Sequence, residues 1–135
     1  PRELLRQYGW EVSDPEKSCS DLDSYRDYIT SSRGEWSVAK NGYVKSQSGW
    51  FSCRSACYLA AGRPVVVQDT GFSKVLPGGE GLFAFNTQEE AVDAIQQVEA
   101  DYDRHARAAR ALAEEYFNSD RVLTDLIDQS SIRSD

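Results

Sequence analysis

The sequence predicts an α/β fold, a parallel sheet flanked by helices, and three observations carry that prediction. Val65-Val-Val67 is a continuous β-branched run of the kind that forms strands buried on both faces. A helix-patterned stretch ending at Gly62 precedes it, and a second short apolar run, Leu82-Phe-Ala-Phe85, follows after a loop. A long apolar stripe at helical spacing then starts behind Thr87. Helix, buried strand, loop, strand and helix in succession mark an α/β layer. The visible strands are too few for a full doubly wound sheet.

The elements follow in order. Pro1 suits a first helical turn, and Leu4, Leu5 and Tyr8 form a short stripe that ends at Gly9. Trp10-Glu-Val12 reads as a short strand before a loop containing Pro15. Ser20 or Asp21 caps a helix through about Ser32, with Leu22, Tyr25, Tyr28 and Ile29 at helical spacing and Gly34 as its stop. Trp36 to Ala39 and Tyr43-Val44 read as extended pieces around a turn at Asn41-Gly42. Ser52 caps the helix that Gly62 closes, and its apolar positions include Ala56, Cys57, Leu59, Ala60 and Ala61. Asp69-Thr-Gly71 ends the valine strand sharply. Thr87 and Glu90 stand at capping-box spacing. The stripe from Ala91 to Phe117 breaks near Asp101 into two helices. A last helix, capped by Ser119, carries Val122, Leu123, Leu126 and Ile127, and residues 131–135 are expected to fray as a tail.

At 135 residues the chain is the size of one domain, read as spanning 1–130. It contains no Met and opens at Pro1, so it is expected to be a piece of a longer protein. Its net charge of −7 argues against nucleic-acid or anionic-membrane binding, because polyanions attract cationic surfaces. No apolar run approaches the ~18 residues of a membrane span. The charge is unevenly spread. Residues 31–80 hold six cations (Arg33, Lys40, Lys45, Arg54, Arg63, Lys74) against Glu35, Asp69 and Glu80, a local +3. A cationic middle in an acidic molecule suggests a local anion site; acidic helices at both ends give the same arithmetic. Three cysteines do not make a disulfide scaffold, and Cys53, Cys57 and the single His105 fall short of a tetrahedral zinc set. Reduced thiols in a cytoplasmic protein and no bound metal are the expectation.

In open parallel sheets, ligands bind beyond the carboxyl ends of the strands, where helix N-termini point. Two stretches fall there. Ser48-Gly-Trp-Phe-Ser-Cys-Arg-Ser55 enters a helix, and its backbone N–H groups, Ser52, Ser55 and Arg54 suit a phosphate or diphosphate. An ordinary serine cap with Arg54 in solvent explains the same residues. Asp69-Thr-Gly71 offers a carboxylate, a hydroxyl and a close backbone approach for sugar hydroxyls or a reacting group, and equally an Asx-turn leaving a strand. Asp21-Leu-Asp23 and Asp101-Tyr-Asp103 match a two-aspartate metal pattern, but both sit at helix starts, where acids favour the dipole. Glu89-Glu90 and Glu114-Glu115 read as solvated faces, and His105 as a structural histidine. No P-loop, GxGxxG or GxSxG occurs.

The run from Ser48 through Ala60-Ala-Gly-Arg-Pro-Val-Val-Val-Gln-Asp-Thr-Gly71 resembles the C-terminal half of GT-B glycosyltransferases. Leu76 to Phe83, Thr87 to Ile95 and Asp103 to Val122 continue in the same order, so the likeness covers about Glu35 to Ile127. It implies a Rossmann-like parallel sheet flanked by helices, a partial GT-B C-terminal domain of the family 1/4 type, holding a nucleotide-sugar donor. The acceptor and its base would come from an N-terminal domain of the same chain. By position Ser52, Arg54 and Ser55 would lie near the donor diphosphate, and Asp69, Thr70 and Gly71 near the sugar. Glu35 and Lys40 precede the loop and reach toward the same pocket. The implied chemistry is hexosyl transfer without a metal or other cofactor, the isolated piece being inactive. One departure stands out. Many retaining relatives carry two glutamates eight positions apart here, and those positions hold Gly49 and Cys57. Neither is a carboxylate, which implies either a divergent branch that uses Arg54 and Ser55 instead or a donor domain of weakened or altered chemistry. A non-catalytic α/β interaction domain, with acidic helices facing a partner, is the competing reading.

Overall fold

Residues 2–131 are described by a computed structural model. Pro1 and residues 132–135, part of the expected tail, lie outside the described residues. Two short helices open the chain, α1 (Arg2–Gln7) and α2 (Pro15–Ser18), the second capped by Asp14, which accepts from the Glu16 N–H. Trp10-Glu-Val12 is irregular rather than a strand. None of the described strands pairs with it, and without a ladder its extended propensity has nothing to satisfy it. Trp10 instead tilts against Trp36, ring centroids 6.1 Å apart.

Helix α3 (Leu22–Ser31) starts at Asp21, which forms a reciprocal capping box with Ser24. Its stripe is only partly used: Ile29 is buried, whereas Leu22 is 87% exposed. Strand β1 (Glu35–Ser37) follows. Asn41–Ser46 then forms a helix, α4, where a turn and extended residues were expected. The Tyr43 N–H donates to the Lys40 carbonyl, and the Tyr43 ring stacks on Trp50, so a tertiary contact overrides the local turn signal.

Helix α5 (Cys53–Ala60) begins at Ser52, whose hydroxyl accepts from the Arg54 N–H at 3.2 Å. Strand β2 (Val65–Gln68), a single 3₁₀ turn at Phe72–Lys74 and strand β3 (Leu82–Phe85) come next. Thr87 and Glu90 close the expected capping box on α6 (Gln88–Ala100). Asp101 ends that helix and caps α7 (Tyr102–Tyr116). Helix α8 (Ser119–Ser131) is capped by the Asn118 side chain, which accepts from the N–H groups of Asp120 and Arg121, one residue earlier than expected.

The three strands are parallel in the order β1-β2-β3, with Trp36 opposite Val66 and Val66 opposite Phe83. Period-2 alternation splits the core between two faces. Val65, Val67 and Leu82 pack with Ile29 of α3, Tyr58 and Leu59 of α5, and Ala109 and Ala113 of α7. Val66, Phe83 and Phe85 pack against Ala91, Ala94 and Val98 of α6. Helices therefore cover both faces of a Rossmann-like parallel layer, and the three valines of β2 are its buried centre. His105 is buried with them. Its Nδ1 accepts the Gly81 N–H at 3.3 Å and its ring lies 5.2 Å from Phe83, a structural histidine. Among the described residues no helix is long and apolar enough to cross a membrane.

Candidate functional site

Parallel pairing places the carboxyl ends of β1 and β2 side by side, and α5 points its N-terminus at the same place. A cavity of about 210 Å³ opens there. Ser37 to Lys40 wall it from the end of β1, Val67, Gln68 and Thr70 from the end of β2, and Phe51, Ser52, Arg54 and Ser55 from the start of α5. Tyr43 and Trp50 complete the rim. The end of β2 lies more than ten residues beyond the other two stretches, and the parallel sheet brings all three together.

Hydrogen bonds fix the floor. The Gly49 N–H donates to the Thr70 carbonyl at 2.8 Å, and the Thr70 hydroxyl donates back to the Trp50 carbonyl at 2.6 Å. Asp69 serves its own turn. Its carboxylate accepts from the Gly71 N–H at 2.8 Å and from the Ser73 hydroxyl at 2.7 Å, an Asx-type closure. Burial pushes the Asp69 carboxyl up, but the Ser73 and Gly71 hydrogen bonds outweigh it and hold the group below its ordinary value. Gly71 has φ +97°, and a Cβ there would stand 3.1 Å from the Gln47 carbonyl oxygen, so glycine permits the close passage of this loop against the end of α4.

The cavity is cationic. Lys40 and Arg54 line it, and no acidic side chain does. Glu35 stands behind Arg54 rather than in the cavity, its carboxylate 5% exposed and its Oε1 2.7 Å from Arg54 Nε. That hydrogen bond holds the guanidinium above its ordinary pKa. Three buried side-chain polar atoms among the described residues have no partner, and two of them are here: the second oxygen of Glu35 and the hydroxyl of Ser55, a residue 1% exposed that lines the cavity. Buried hydroxyls are normally paired, and the Ser55 hydroxyl has no protein partner among the described residues.

Of the residues read from the sequence, Lys40, Ser52, Arg54, Ser55 and Thr70 meet in the one cavity. Asp69 and Gly71 shape the loop beneath it and do not line it. A glycosyl transferase-like family model matches residues 9–128. The chain belongs to that family. No curated protein and no solved structure matches it.

Within this glycosyltransferase-like chain the departure noted above has a clear geometry. Gly49 lies in the loop that Thr70 holds, while Cys57 is exposed on α5 against Tyr25 and Ile29, away from the cavity. Tyr43, Trp50 and Gln68 line the cavity without having been singled out. Gln68 has a legible signal, a polar residue closing a strand that is otherwise valine; Tyr43 has none, because Tyr43-Val44 reads in the sequence as an extended piece beside the Asn41-Gly42 turn. Cys19, Cys53 and Cys57 are free thiols, and no cluster of metal-ligating residues occurs among the described residues.

Proposed function

We propose that the cavity at the start of α5 receives the diphosphate of a nucleotide-sugar donor, and that the chain is most of the donor-binding domain of a GT-B transferase. One observation carries this reading: two cations, a helix N-terminus and an unpartnered hydroxyl converge on a cavity without an acid. A diphosphate needs those features. Lys40 and Arg54 offset its charge, the first N–H groups of α5 and the Ser52 and Ser55 hydroxyls supply directed donors, and Arg suits phosphate geometry. In transfer, the bond from the anomeric carbon to the diphosphate oxygen breaks and the diphosphate leaves with the electron pair. The acceptor oxygen bonds to that carbon and gives its proton to a base. Arg54 and Lys40 would stabilise the charge that develops on the leaving group. No resident cofactor is invoked; the nucleotide diphosphate sugar is substrate.

The acceptor and its base are assigned to an N-terminal domain of the same protein, and the isolated 135-residue chain is expected to turn over no hexosyl donor. That β1 is an edge strand among the described residues, with no strand on its outer side, supports further strands there. A cytoplasmic location fits free thiols and a soluble donor. Calorimetric titration of the intact protein with UDP and GDP tests the reading. Binding of one of them, weakened about tenfold or more by Arg54→Ala as expected for a charge-assisted contact, supports it. No binding of either to the intact protein overturns it in favour of an interaction domain.

A further inference from the structure

We propose that Trp50 is the platform on which the hexose ring of the donor lies; this rests on the donor-binding reading above. The groups nearest to hand for a sugar are already occupied. The Asp69 carboxylate is taken by Gly71 and Ser73, and the Thr70 hydroxyl by the Trp50 carbonyl. What the cavity offers instead is an aromatic surface held in place. Trp50 is 51% exposed although an indole is among the side chains that gain most from burial. It is not a loose exposed side chain. Tyr43 stacks on it with ring centroids 5.1 Å apart and an interplanar angle of 18°, and Thr70 pins its backbone. The ring is therefore ordered before any ligand arrives, which lowers the entropy cost of stacking on it.

The chemistry matches a pyranose. One face of a hexose presents C–H groups of slight positive charge, which pack on the negative face of an indole. Its rim presents hydroxyls in all directions, and the cavity answers with Ser37, Lys40 and Gln68. The Gln68 side-chain carbonyl accepts from the Ala39 N–H at 3.1 Å, which leaves its amide NH₂ to donate. Trp50 also lies two residues before Ser52, so a ring on it adjoins a diphosphate at the start of α5.

The test compares UDP with UDP-glucose and GDP with GDP-mannose on the intact protein, wild type and Trp50→Ala and Trp50→Phe. For the pair that binds, Trp50→Ala should weaken the sugar nucleotide about tenfold, the size of one aromatic stacking contact, and leave the free nucleotide diphosphate within about twofold. Trp50→Phe should retain most of the sugar nucleotide affinity. Proton NMR of the ligand on the wild-type protein gives a readout independent of how the variants fold: hexose C–H resonances should move upfield by ring current. Equal losses for nucleotide and sugar nucleotide, or upfield movement confined to the base protons, overturn the assignment of the hexose to Trp50. Failure of the wild type to bind either nucleotide diphosphate overturns the donor reading itself and is seen before any variant is made.

Discussion

The carboxylate of Glu35, buried at the start of β1, grips Nε of Arg54 at 2.7 Å, so the guanidinium that lines the cavity is anchored from behind. The two residues are 19 apart in sequence and meet only because β1 and α5 share one side of the sheet. Removing Arg54 would leave a buried carboxylate without its partner, whereas removing both charges would not. Arg54→Ala should therefore destabilise the protein by about 1–3 kcal/mol, held below the fully buried range because Arg54 is half exposed. The double variant Glu35→Gln with Arg54→Ala should recover a large part of that loss. Urea midpoints at constant slope measure both, and a double variant no more stable than Arg54→Ala would show that the unpaired buried carboxylate is not the source of the loss.

Gly81 permits the approach of the β3 entry to α7. A Cβ there would stand 2.3 Å from the Ala109 nitrogen and 2.7 Å from its Cα, both backbone atoms of a packed helix, and the residue has φ +73°. Gly81→Ala should cost about 2–5 kcal/mol, overpacking added to left-handed strain. Gly79, at φ +98° with nothing within 4 Å, is the control, and Gly79→Ala should cost about 1 kcal/mol from strain alone. Thermal unfolding of the two variants side by side checks the contrast; similar losses would refute the clash.

Asp69 sets part of the acid limit of stability. Its folded pKa is lower than its ordinary 3.8, so the unfolded chain takes up this proton first as pH falls. The stabilisation is fully present above pH 3.8 and is lost as pH drops below it through the folded value. Asp69→Asn should flatten that part of the acid limb. A stability profile from pH 6 down to about pH 2 measures it, and an acid limb unchanged by the substitution would show that the turn closure adds nothing.

Legibility followed how many independent constraints bore on each segment. The stretch from α5 to α7 was readable because a cap, an apolar period and a buried β-branched run agreed at every step, and Thr87–Glu90 even closed the capping box at its expected spacing. Segments resting on one local cue went astray. Asn41-Gly42 is a strong turn signal, yet Tyr43 finds Trp50 only if the chain coils into α4. Trp10-Glu-Val12 has strand composition and no strand beside it. Ser119 and Asn118 are both good caps, and only the geometry selects Asn118. In the site, charged and hydroxyl residues such as Lys40, Arg54 and Ser55 announce a chemistry from sequence. The aromatic wall does not, because a tryptophan in a sequence reads first as core. The partnership of Glu35 with Arg54 was equally hidden, since it depends on which face of β1 meets α5.

The reciprocal bonds between Gly49, Trp50 and Thr70 have a mechanical result. They tie the loop before α5 to the loop after β2, so two walls of the cavity are braced directly against each other and not only through the sheet. The opposite rim, Lys40 and Tyr43 at the six-residue α4, has no buried residue in its helix and no side-chain cap, and the Tyr43–Trp50 stack joins it to the other two walls.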